Sequence, residues 1–214
     1  MPELVNEKIS NLFSFLVILI IGTFCLGMLT FGEPFLFWEY PFSDLGSTVT
    51  QNGMPNTYSC FILVLGMLLS GSLLWKISVC FKEDPAIIHY QLKRYLSISA
   101  GIGCFVFVFP HNINNDIHMI GAAIMVASFW AMAALLLREV RKHIPTEKFF
   151  LQQSILQGTV LTYAAAYTMN SPIKNIAQKF AVLGLMIVLK IATSTAKTFE
   201  FSSIFTFSQK DNNS

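Results

Sequence analysis

Two imidazoles, one carboxylate and three carboxamides crowd into the eight residues His111-Asn112-Ile113-Asn114-Asn115-Asp116-Ile117-His118. A set of this kind has two chemical uses. It can hold a divalent metal through nitrogen and oxygen donors, or it can supply a histidine base oriented by an acid. A further acid, Asp44, lies in the polar stretch 32–55. Asp44, His111, Asp116 and His118 are therefore the candidate catalytic residues, with Ser43 and Asn56 as candidate ligand contacts. His111 and His118 stand seven apart across a turn, unlike the paired histidines of one helix face. No metal ligands are assigned on that spacing. The expected cofactor is none, and a divalent metal at the His/Asp cluster stays open. Asp116 also has a structural reading, as the cap of a helix that begins beside it.

The elements that position these groups are apolar runs of about 18 to 25 residues, the length of a membrane-spanning helix. The expected helices cover 10–31, 56–81, 92–109, 117–137, 150–169 and 175–197. Lipid offers no hydrogen bonds to a bare backbone, so such runs must be helices. Pro110, Pro145 and Pro172 fall between them. The fold class expected is all-α, a polytopic integral membrane bundle of six transmembrane helices. One domain, 1–197, holds the spans, and 198–214 forms an interfacial or disordered tail containing Phe199, Phe201, Phe205 and Phe207.

Basic residues set the orientation. Lys8, Lys76, Lys82, Lys93, Arg94, Arg138, Arg141, Lys142, Lys148, Lys197 and Lys210 fall on one side, and only Lys174 and Lys179 on the other. Both termini are expected in the cytoplasm, which puts 32–55, 110–116 and 170–174 outside. The long loop 32–55 reads as ordered: it has Trp38, Tyr40 and Phe42 for the headgroup zone, Pro41, and an Asn52-Gly53 turn. It carries Glu33, Glu39 and Asp44 and no basic residue.

A second polar set lies within the last two spans. Lys179, Lys190 and Lys197 recur on one stripe of the sixth helix. Lys190 sits deep enough to need a partner or a water cavity. Gln153 and Gln157 of the fifth helix are the expected partners, with Tyr163 and Tyr167 lining a route outward. Lys179, Lys190, Tyr163 and Tyr167 complete the candidate ligand contacts. The alternative is ordinary polar glue between packed helices. The small-residue pairs Gly66/Ser70 and Ser97/Gly101, and the run Gly121-Ala122-Ala123, read as close-packing sites.

The bulk composition excludes other classes. The chain is 54% hydrophobic and 12% charged, with a net charge of +2 spread over several loops. Nucleic acid is not an expected partner. Cys25, Cys60, Cys80 and Cys104 match no zinc or redox spacing and read as small buried hydrophobes.

The segment Tyr40-Pro41-Phe42-Ser43-Asp44-Leu45-Gly46, followed by Gly53-Met54-Pro55-Asn56, resembles the first outer loop of the FRAG–DRAM–Sfk family of six-span membrane proteins. Phe109-Pro110 and His118 resemble the matching positions of a prokaryotic six-span family known as domain of unknown function 998. The outer turn after the fifth helix is short, a departure from the family pattern, and helices five and six carry no second signature. The resemblance implies lipid remodelling of glycolipid anchors, lysosomal or autophagy-linked membranes, or phospholipid organisation. The reading that follows is an integral membrane protein recognising or modifying a lipid headgroup at the non-cytoplasmic leaflet, with membrane lipids as partners. Lys179 would balance carboxylate charge or contact phosphate. The alternatives are a small-solute or ion transporter using the polar faces of helices five and six, and a noncatalytic scaffold. Enzymatic activity, a protein partner and a homo-oligomer all stay open.

Overall fold

The computed structural model describes residues 5–211, with side chains through Ala196. Among the described residues the chain is all-helical: α1 Glu7–Leu29, α2 Thr57–Glu83, α3 Tyr90–Phe107, α4 Asn115–Val140, α5 Thr146–Thr168 and α6 Lys174–Asp211. Short 3-10 turns cover Phe42–Gly46 and Arg141–His143. Lys197 and the four tail phenylalanines lie outside the described side chains.

Among the described residues, four helices are long and apolar enough to cross a membrane: α1, α2, α4 with its continuation to His143, and α6 as far as Ala196. The two others are more polar. The first turns of α3 carry Gln91, Lys93 and Arg94, and α5 carries Glu147, Lys148, Gln152, Gln153 and Gln157. The outer surface of the bundle is lined with bare large hydrophobics, among them Ile18, Leu29, Tyr58, Phe61 and Ile120. Water would not tolerate so continuous an apolar surface on a monomer. The chain is thus compatible with a multi-pass membrane protein.

Successive helices alternate in direction, so the ends of α1, α3 and α5 meet the starts of α2, α4 and α6 at one pole, the loop end. The opposite pole, the basic end, holds 84–89 and 141–145. Helices α1 to α4 pack in sequence, and α6 closes the ring against α4 and α1. Only α5 stands at the flank: it leans on α6, touches α4 lightly, and buries just Leu156 and Ala166.

Small residues set the closest approaches. A Cβ on Gly103 would lie 2.5 Å from the Met125 backbone nitrogen, and one on Gly121 would strike the Phe107 backbone. These two contacts let α3 and α4 meet backbone to backbone, which brings His118, one turn before Gly121, against the Phe107 ring at 4.2 Å. At the basic end, the fully buried Lys93 ammonium lies 2.7 Å from Glu139 of α4. His89, held at φ 51° just before α3, reaches the other oxygen of that carboxylate at 2.9 Å. Lys93 therefore belongs to the helix packing rather than to a solvated loop.

Gly121→Ala is expected to destabilise the protein by about 1–3 kcal/mol through overpacking. Gly158→Ala, where nothing stands within 4 Å, is expected to be neutral or mildly stabilising. Thermal unfolding of both variants in detergent checks the contrast, and equal effects would contradict the packing account.

Candidate functional site

The site is assembled by the segment between α1 and α2. Aromatic packing fixes its first half: Phe31 meets Phe35 at 5.3 Å and Tyr40 at 5.5 Å, and Phe42 stacks on Phe24 of α1 at 4.5 Å. The second half turns back at Gly53, whose φ of 82° a side chain would resist. That turn is closed by Thr50 N–H donating to Met54 O at 2.8 Å.

Asn56, the residue on which α2 begins, ties the halves together. Its carbonyl accepts from Gly32 N–H at 3.1 Å. Its amide donates to Asp44 O at 3.2 Å and Ser47 O at 2.9 Å. The side chain is fully buried and its capacity is used inside the loop. Asn56, expected as a ligand contact, is therefore placed as a scaffold beneath the site.

The scaffold presents a buried Asp44 to the turn between α3 and α4. Asp44 Oδ2 accepts from Gln51 Nε2 at 2.7 Å, and Oδ1 faces His111 Nε2 at 2.9 Å. An ionised carboxylate only accepts, so the His111 proton sits on Nε2. Ser47 Oγ lies 2.7 Å from that same nitrogen. A serine relay needs serine and acid on opposite ring nitrogens. Here both share Nε2, so His111 does not activate Ser47, and Nδ1 is left as its basic nitrogen. Thr48 and Asn112 pin the loop to the turn alongside, with Asn112 Nδ2 donating to Thr48 Oγ1 at 2.8 Å and Thr48 N–H to Asn112 Oδ1 at 3.1 Å.

His118 completes the cluster. Its ring centre is 5.7 Å from that of His111, and its Nδ1 donates to Phe109 O at 2.8 Å. This fixes the neutral tautomer with the lone pair on Nε2. Nε2 is buried and has no hydrogen-bond partner among the described residues. The loop end thus gathers a carboxylate and two imidazoles, and each imidazole donates its proton to a protein oxygen.

Other expected members stand apart. Asp116 is exposed on the first turn of α4, and the cap is Asn114, whose Oδ1 accepts from Ile117 N–H at 3.1 Å. The capping role of Asp116 is corrected, and the structure gives it no hydrogen bond to Asp44, His111 or His118 among those described. Ser43 is half-buried on the 3-10 turn, outside the Asp44–His111 contact. Lys179 has no exposed surface: its ammonium donates to Tyr40 O at 2.6 Å and Asn175 O at 3.0 Å, and lies 5.9, 5.1 and 5.6 Å from the rings of Phe35, Phe37 and Phe42. It staples the loop to α6 and offers nothing to a phosphate.

Lys190 donates to Ser14 Oγ of α1. The expected Lys190–glutamine contact is not formed, because Gln157 is turned toward α4 and accepts from Trp130 Nε1 at 3.0 Å. Tyr163 accepts from Gln178 Nε2 at 3.4 Å, which sits about 18 Å along α6 from Lys190. Tyr167 is largely exposed. No group of three or more His, Cys, Asp or Glu is arranged to hold a metal among the described residues. Ser47, Gln51 and Asn112 were not legible as site residues, since only the folded loop brings them to Asp44 and His111.

Two tests address the loop. Asn56→Leu leaves the Gly32 N–H and several carbonyls without partners, at a cost of about 2–3 kcal/mol. Hydrogen exchange over 31–56 should accelerate in that variant, and unchanged protection would contradict the scaffold role. The second test uses Glu33, which accepts from Asn52 Nδ2 at 2.8 Å and the Tyr40 hydroxyl at 3.1 Å. The Asn52 hydrogen bond, working against partial burial, holds the Glu33 carboxyl below its usual range. A depressed carboxyl stabilises above its unfolded value and loses that contribution as pH falls through its folded value. Loop protection should hold down to the ordinary glutamate range and drop below it, and Glu33→Gln should remove that component of the drop.

No family model, curated protein or solved structure matches this chain.

Proposed function

We propose that this protein binds a lipid headgroup at the non-cytoplasmic leaflet, with the loop end outward, both termini cytoplasmic and all six helices crossing the bilayer. The basic residues at the opposite pole support the orientation. For α3, the buried Lys93–Glu139 pair takes the charge out of lipid and leaves an apolar remainder. The resemblance of Tyr40–Gly46 and Gly53–Asn56 to the FRAG–DRAM–Sfk family supports a lipid ligand.

One observation carries the reading: the buried Asp44 carboxylate holds the His111 proton on Nε2, which leaves Nδ1 as an oriented base on a partly exposed ring. Where the headgroup is turned over, His111 takes the proton and Asp44 stabilises the imidazolium that forms. Lys190 and Gln157, the pair expected to line a transport path, are engaged with α1 and α4 instead.

Native mass spectrometry of gently solubilised protein checks the proposal. Wild type should retain phospholipid, and Asp44→Asn and His111→Gln should each lose it about tenfold at unchanged folding. If turnover is found, His111→Gln should lower it by about 10² to 10⁴. Wild type without lipid, or variants that retain it equally, would remove the reading.

A further inference from the structure

Resting on that headgroup reading, we propose that the group recognised beside His111 is a primary ammonium, as on an ethanolamine headgroup. The acid and the two imidazoles present acceptors to a ligand. Asp44 is a carboxylate, His111 presents Nδ1, and His118 holds an unpartnered Nε2 at 1% exposure beside the His111 ring. A buried acceptor left without a donor is costly, and a ligand N–H removes that cost. An ammonium brings three donors and a positive charge to this set.

A phosphate calls for cations as well as N–H donors, and neither nearby lysine is free to supply one. Lys179 is sealed beneath the loop, and Lys174 donates to Asn170 at 2.6 Å on the α5–α6 turn. A quaternary ammonium is disfavoured for a different reason. It binds by ring faces rather than by N–H donation, and the aromatic cage at this end, Phe35, Phe37 and Phe42, is already filled by the Lys179 ammonium. The ligand reaches the site along the His111 ring, 28% of whose side chain is exposed, and His118 supplies the inner acceptor.

The full-length protein in nanodiscs, titrated with phosphatidylethanolamine, phosphatidylcholine and phosphatidylglycerol, tests the class of ligand. Phosphatidylethanolamine should be retained about tenfold over the other two, and His118→Phe should abolish that preference while overall folding persists. Soluble ethanolamine phosphate is the second arm: weak competition supports a lipid source, and binding of the soluble amine alone would overturn it. Equal retention of all three lipids, or a phosphatidylglycerol preference, overturns the ammonium and leaves lipid binding intact. Retention of no lipid removes both readings. The wild-type comparison decides the matter even if a variant fails to fold.

Discussion

A carboxylate cannot be taken out of water unless donors replace the water, and Asp44 is the place where this chain meets that constraint. Its two oxygens are met by Gln51 from its own loop and by His111 from the turn between α3 and α4. Those partners come from segments far apart in sequence, so satisfying one buried charge fixes how the loop sits on the bundle. The same contact decides the tautomer of His111 and hence which nitrogen keeps the lone pair. Architecture and chemistry at this pole follow from a single desolvated acid.

The remaining buried charges obey the same rule by different means. Lys93 is neutralised by Glu139 at close range, the arrangement in which loss of one partner costs about 3–5 kcal/mol. Lys179 has no close carboxylate and is held by carbonyl dipoles and ring faces instead. Lys190 is content with a serine hydroxyl while remaining partly exposed. Burial depth and partner type thus separate three lysines that look alike in the sequence.

What was legible in the sequence was what depends on local pattern. Apolar run length and intervening prolines gave the helices, and the aromatic residues with Asn52-Gly53 gave an ordered loop. Among the described residues four helices carry enough apolar length to cross a membrane unaided, and α3 and α5 do not, because polar residues interrupt them; of these, Lys93 and Gln157 find partners on α4. The illegible part was long-range pairing. Nothing in the spacing of Lys190 and Gln157 says that one turns to α1 and the other to Trp130. Asn56 looked like ligand chemistry because a carboxamide carries the same groups whether it serves a ligand or a backbone. Asp116 lost its cap to Asn114, since two neighbouring residues can fill that role and backbone geometry chooses between them.

Asn56 has a mechanical corollary. It begins α2, and its carbonyl is hydrogen-bonded to Gly32, three residues past the end of α1. The tips of two bilayer-sized rods are thereby strapped through one amide that also grips the 3-10 turn bearing Asp44. A relative tilt of those rods therefore acts on the strap directly, and through it on the acid and its imidazole.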